Sequence, residues 1–185
     1  MNVLVVYASR AGSTAEIAES VGKTLRAAGL EVTVCACADV SAVGEYDAVL
    51  LGSAVYVGRW EHDAIAFLHR WGDQLPRGLT WLFQSGPCGP DAEEQKCETP
   101  HKVARLIQRF GLGEPVTFGG RLDPATAKDW LSRQVAKGAN AGDFRDWDAI
   151  TGWAQRCARA ITGTPPRGMS VELEAALEHK GSDLR

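Results

Sequence analysis

The 185-residue sequence lacks any apolar run near the roughly 18 residues that a membrane-spanning helix needs. Its longest, residues 48–57, is interrupted by Gly52 and Ser53 and reads as a buried strand running into a loop. Excess charge is also missing: 20 Lys and Arg face 23 Asp and Glu, a net charge of −3 that argues against nucleic acid as a partner. The five cysteines, at 35, 37, 88, 97 and 157, are odd in number and scattered, so no disulfide framework is expected. His62, His69, His101 and His179 show no metal-ligand spacing. No Gly-x-Gly-x-x-Gly occurs and no acidic residue ends the second strand, which disfavours a dinucleotide. The Gly-Lys-Ser/Thr of a nucleoside triphosphatase is absent as well. The first residues carry neither a basic n-region nor a cleavage site, so a cytoplasmic protein is expected.

What the chain does contain is a regular alternation of apolar β-branched runs with helical patterns. Strands are expected at residues 2–7, 31–35, 47–52, 79–84 and 114–118, and helices at 14–28, 61–71, 99–110 and 146–162. The third strand is apolar throughout, the pattern of a strand covered on both faces of a parallel sheet. The alternation predicts an α/β, doubly wound parallel sheet, with 45% hydrophobic residues to fill its core. Residues 1–163 form the expected domain. After Gly163-Thr164-Pro165-Pro166, residues 164–185 form a tail with a short amphipathic helix expected between Ser170 and Lys180.

In such sheets ligands sit at the carboxyl ends of the strands, and three loops rich in small residues stand there. The first, Ser9-Arg10-Ala11-Gly12-Ser13-Thr14, joins strand one to helix one. Its backbone N–H groups, its hydroxyls and the positive end of the helix suit a phosphate. Ser13 and Glu16 have capping-box spacing. The second loop, 53–60, offers Tyr56 and Trp60 as rings able to stack on a planar group. The third, Ser85-Gly86-Pro87-Cys88-Gly89, is a tight turn with exposed amides and carbonyls. A phosphate at the first loop and a flat heterocycle between the other two describe a mononucleotide such as FMN.

Val5-Val6-Tyr7-Ala8-Ser9-Arg10-Ala11-Gly12-Ser13-Thr14 followed by Ile17-Ala18 resembles the signature of the flavodoxin family, over about residues 1–163. The resemblance implies a five-stranded sheet of order 2-1-3-4-5 with helices on both faces. Residues 51–58, Phe118-Gly119-Gly120-Arg121-Leu122-Asp123 and Gly142-Asp143-Phe144-Arg145-Asp146-Trp147-Asp148 resemble the branch that includes the flavodoxin-type, menaquinone-dependent protoporphyrinogen dehydrogenase. Carried over residue by residue, it implies that Ser9, Arg10, Ala11, Gly12, Ser13 and Thr14 hold the FMN phosphate. Ala54, Val55, Tyr56, Val57 and Gly58 would line one side of the isoalloxazine, and Ser85, Gly86, Pro87, Cys88 and Gly89 the other. Gly58 or Gly86 would supply the backbone freedom with which flavodoxins hydrogen-bond the reduced ring. Arg10 departs from the uncharged loop of many flavodoxins, and Cys88 is unusual beside the ring.

Several features have plainer readings. Cys35 and Cys37 point to one face as small apolar filler, and Cys88 lacks an evident electropositive neighbour that would make it reactive. Asp143, Asp146 and Asp148 are expected to cap the last helix rather than bind metal, and Trp147 and Trp153 to enter the core. Arg121, Lys128, Arg133, Lys137 and Arg145 are read as part of a solvated segment of mixed charge, with an anionic substrate or surface as the sharper alternative. The resulting expectation is electron transfer with a redox partner (a reductase, a quinone or a small-molecule substrate). The alternative is a quinone-dependent protoporphyrinogen IX dehydrogenase or another FMN-dependent quinone reductase. Peripheral membrane contact stays compatible with both.

Overall fold

In the computed structural model the described residues are 1–86, 97–122 and 142–163. Pro87, Cys88, Gly89, the expected tail helix and most of the 121–145 segment lie outside them. In chain order the elements are β1 (Asn2–Ala8), α1 (Ser13–Ala27), β2 (Glu31–Ala36), β3 (Ala48–Tyr56), β4 (Arg59–Trp60) and α2 (His62–Trp71). There follow β5 (Thr80–Ser85), α3 (His101–Phe110), β6 (Val116–Phe118), β7 (Arg121–Leu122), β8 (Gly142–Asp143) and α4 (Trp147–Thr162). The main sheet runs β2-β1-β3-β5-β6, parallel at every step. This is the expected 2-1-3-4-5 order, with the two-residue β4 inserted in the numbering.

The strand period of two explains how the sheet is covered. Val3 and Val5 of β1 face a core filled by Ile17, Val21 and Leu25 of α1 and by Ile150, Ala154 and Ile161 of α4. Leu4 and Val6 face the opposite core, with Phe67 and Leu68 of α2 and Val103 and Leu106 of α3. Val49, Leu50 and Leu51 of β3 are fully buried because both layers cover them. Each such side chain contributes on the order of 1.5–3 kcal/mol as an upper value. The first layer is keyed by an aromatic group in which the Trp153 ring lies 5.5 Å from Phe83 and 5.7 Å from Phe118. Gly52 makes room for it: a Cβ there would stand 2.1 Å from the Phe83 ring. Cys35 and Cys37 pack into the second layer, on one face as expected.

Three expectations are corrected. The second loop is largely strand: β3 continues to Tyr56, turns at Val57 and Gly58, and pairs antiparallel with β4 through Val55 with Trp60 and Tyr56 with Arg59. Both turn residues have positive φ (49° and 66°), as a two-residue hairpin requires when its twist is to match its strands. The capping box does not form. Gly12, at φ 89°, is the N-cap of α1 with no side-chain cap bond, and the Glu16 carboxylate is drawn to two arginines. Trp153 is core, but Trp147 is 39% exposed, because it opens α4 and lies against the Arg145 guanidinium, 4.5 Å from its ring. Asp146 does cap α4, its carboxylate accepting from the Ala149 N–H at 2.9 Å.

Gly52→Ala is expected to lower stability by about 1–3 kcal/mol, because the new methyl must displace the Phe83 ring. Gly44→Ala, where a Cβ meets nothing within 4 Å, serves as the neutral control. Urea midpoints of the two variants against wild type decide the matter.

Candidate functional site

All five strands of the main sheet are parallel, so their carboxyl ends lie along one edge, and the three loops singled out in the sequence emerge there. Each pair of loops is tied by a contact. The Thr14 and Ser85 hydroxyls share a hydrogen bond of 2.8 Å, linking the start of α1 to the end of β5; both residues are buried. The Arg10 guanidinium lies over the Tyr56 ring at 4.5 Å, linking the first loop to the hairpin. Gly86 meets the hairpin so closely that a Cβ on it would stand 3.0 Å from the Val55 Cβ. Its N–H also donates to the Phe118 carbonyl at 3.3 Å, tying β6 to the same edge.

The first loop turns left-handed at Gly12 and enters α1 directly. The Gly12 N–H donates to Ser9 Oγ at 3.1 Å, so that amide is already engaged within the loop. The Glu16 N–H closes the first helical turn on the Gly12 carbonyl at 3.0 Å. The amides of Ser13, Thr14 and Ala15 precede any acceptor within α1 and point along the positive end of the helix. The space around Gly12 is open: the atoms nearest a Cβ there are Arg121 Nη2 and Glu16 Oε1, both at 4.0 Å. Free amides, a helix terminus and open space fit the phosphate of a mononucleotide.

Arg10, expected among the phosphate-holding residues, reaches the hairpin, pairing Nε with Glu61 Oε1 at 3.5 Å as well as covering Tyr56. Of the two candidate stacking rings, Trp60 is buried and donates its Nε1–H to Gln84 Oε1 at 2.8 Å. Gln84 in turn donates to the Cys97 carbonyl and to Thr117 Oγ1. Trp60 is therefore structural, while Tyr56 is half-buried at the hairpin tip. Ser53 anchors the hairpin from below, its Oγ accepting from the Glu61 N–H at 3.0 Å. Val57 stands 74% exposed in a left-handed conformation that a β-branched residue rarely adopts. Ala54 and Val55 lead into the tip and are half-buried, and Gly58 is exposed.

A fourth component was not read from the sequence. After β6 the chain crosses to the start of α1, where the Arg121 N–H donates to Ser13 Oγ at 3.1 Å. The crossing is close: a Cβ on Gly119 would stand 1.8 Å from the Phe144 carbonyl oxygen. Glu16 then accepts from two arginines, Arg121 Nη2 at 2.7 Å on one oxygen and Arg145 Nη1 at 2.7 Å on the other. Arg145 is almost wholly buried and also grips the Asp143 carboxylate through Nε and Nη2. That double hydrogen bond holds Asp143 below the ordinary carboxylate range and raises Arg145 above its own. Arg121 and Arg145 are thus engaged with carboxylates of the protein itself rather than carried on a solvated face. The available signal was one arginine in each of the two glycine-containing motifs, at 118–123 and 142–148.

The four cysteines among the described residues stand apart from this chemistry. Burial pushes the Cys37 and Cys157 thiols up to about 12, and it raises Cys35 and Cys97 as well, so none is a ready thiolate. No group of three or more metal-ligating side chains occurs among the described residues.

Asp143 contributes stability that is complete above the ordinary carboxylate pKa of about 4 and is lost as pH falls through its depressed folded value. The stability advantage of wild type over Asp143→Asn is therefore expected to be constant at neutral pH and to shrink below about pH 4. Denaturant titrations at a series of pH values measure this. Val57→Asn should raise stability by about 0.5–1 kcal/mol, since asparagine accepts the left-handed turn that valine resists. A lowered urea midpoint would show that the valine side chain contributes more at the tip than its backbone costs.

A family model described as "Flavodoxin domain" matches residues 4–135. Among solved structures, the chain is similar to a flavodoxin from the domain Archaea at 17% identity, covering 88% of this chain and 99% of that one, with a TM-score of 0.56. A flavodoxin from Streptococcus pneumoniae gives 19% identity, 88% and 99% coverage, and a TM-score of 0.58. Rubredoxin oxygen:oxidoreductase from Desulfovibrio gigas gives 17% identity and a TM-score of 0.57, with 88% of this chain matching 36% of that longer one. At these identities the structural likeness speaks for the fold. The family match over most of the chain, joined to the parallel 2-1-3 sheet and the loop-to-helix start at Gly12, places the chain in the flavodoxin domain family.

Proposed function

We propose that the three converging loops seat FMN and that the chain works in electron transfer. The observation that carries this reading is the pairwise tying of the loops around the start of α1: Thr14 to Ser85, Arg10 to Tyr56 and Gly86 to Val55. Bound FMN supplies one- and two-electron chemistry, and the polypeptide sets its position and surroundings. The amides of Ser13, Thr14 and Ala15 offer donors to the phosphate, with Ser9, Arg10, Ala11 and Gly12 completing the loop around them. The Ser9 hydroxyl keeps its proton to donate while its oxygen accepts from Gly12. Ala54, Val55, Tyr56, Val57 and Gly58 form one side of the ring seat. Ser85 and Gly86 begin the other, which in this reading continues through Pro87, Cys88 and Gly89. Arg10, lying over the Tyr56 ring and paired with Glu61, holds that tyrosine in place.

The redox partner in this reading is a reductase, a quinone or a small-molecule substrate, met in the cytoplasm. A second reading, a protoporphyrinogen IX dehydrogenase passing electrons to a quinone, is favoured by Val57. An exposed apolar side chain at the mouth of the loop cluster suits contact with the largely apolar face of a tetrapyrrole macrocycle. It also agrees with the resemblance of residues 51–58 and 118–123 to that branch.

Purified protein titrated with FMN is expected to quench flavin fluorescence at one equivalent. The Ser9→Ala variant should bind about fivefold more weakly, the counterpart of about 1 kcal/mol for its lost donor bond. Unchanged affinity in that variant would move the phosphate elsewhere. Supplying the loaded protein with protoporphyrinogen IX and a menaquinone analogue separates the two readings. Porphyrin fluorescence that requires both protein and quinone selects the dehydrogenase, and its absence beside rapid reduction by a flavodoxin reductase selects the carrier.

A further inference from the structure

We propose that Arg121 is the charge partner of the phosphate at the first loop, and that it makes the site select a phosphorylated flavin over uncharged riboflavin. The inference rests on the flavin reading above and adds a residue from outside the loops already assigned.

Arg121 reaches the loop from 108 positions away and is held there twice. Its backbone N–H is fixed on Ser13 Oγ at 3.1 Å, and its guanidinium is bidentate with Glu16, at 2.7 and 3.1 Å. The same guanidinium stands 4.0 Å from the Cβ position of Gly12, at the rim of the open space over the α1 amides. A carboxylate at that rim would by itself repel a phosphate dianion, because Glu16 lies in the first turn of the helix whose positive end attracts the anion.

The rest of the ion chain removes that obstacle. The charges alternate as Asp143, Arg145, Glu16, Arg121, so the end beside the loop is a cation. Asp143 stands opposite Arg121 in the β7–β8 ladder, yet its two oxygens are both taken by Arg145. Arg145, with a side chain only 3% exposed, holds Glu16 independently of Arg121. Glu16 therefore keeps a cationic partner, one it shares with Asp143, if Arg121 turns toward an incoming phosphate. The Arg121 side chain, 28% exposed, retains the access that this turn needs. A guanidinium matched to phosphate oxygens forms charge-assisted bonds of a strength that neutral amides do not reach.

The test measures FMN and riboflavin dissociation constants for wild type, Arg121→Gln and Arg121→Lys across a salt series, with inorganic phosphate in thermal shifts of the flavin-free protein. Wild type should bind FMN more tightly than riboflavin. Arg121→Gln should weaken FMN tenfold or more while changing riboflavin less than twofold, with a shallower salt dependence for FMN. Arg121→Lys should recover the salt dependence but only part of the affinity, because the ammonium is not bidentate. Equal losses for both flavins would make Arg121 a strut between β7 and α1 and overturn the inference, as would an unchanged FMN constant. Wild-type protein that binds both flavins equally would also overturn it, leaving the flavin reading intact. If wild type binds neither flavin, that reading fails. Phosphate protection present in wild type and lost in Arg121→Gln would then still uphold the anion seat, and its absence in wild type would overturn it.

Discussion

The central strand carries the constraint on which the rest of the structure depends. Val49, Leu50 and Leu51 of β3 have no exposure at all, so helices must cover both faces of the sheet. Covering both faces in a parallel sheet requires a crossover between successive strands. The loops that leave the carboxyl ends of those parallel strands therefore begin at one edge. The location of the site follows from this packing requirement, before any polar residue has been considered.

What the edge then holds is decided by polar contacts among the loops. Thr14 and Ser85 satisfy one another in a buried position where an unpaired hydroxyl would be costly. Gln84, fully buried, is satisfied by Trp60, Cys97 and Thr117, which fixes the hairpin base against β5 and β6. The hairpin tip is therefore held from below, while its outermost residues, Val57 and Gly58, stay exposed in left-handed conformations. At the other flank the Asp143–Arg145–Glu16–Arg121 chain binds β7 and β8 to the start of α1. Two helix-layer cores set the frame, and three polar clusters set the shape of its rim.

Reading the sequence went furthest where a single period governs the outcome. Strand alternation in Val3 to Val6, the apolar stripe of Ile17, Val21 and Leu25, and the wholly apolar β3 each have one favourable arrangement. It went less far where a residue has two outlets for the same chemistry. Glu16 satisfied the spacing of a capping box, but two arginines from distant positions offer a carboxylate more than one backbone N–H does. Arg10 is a loop residue by position, and its contacts with Tyr56 and Glu61 join it to the hairpin from distant positions. Trp147 continued the helical stripe of α4 on paper, yet at the first position of the helix it lies beyond the core and meets Arg145.

The sequence by itself determined the fold class, the strand order expected from its resemblance, and the edge at which a ligand would be received. Local periodicity and loop composition carry that information, and they are written in consecutive residues. Tertiary structure alone decided which polar side chains meet at that edge. Ser13 with Arg121, Glu16 with Arg145 and Thr14 with Ser85 are pairs from 71 to 129 positions apart. No local preference encodes such pairs, and they form only once the packed sheet has brought the ends of its strands together.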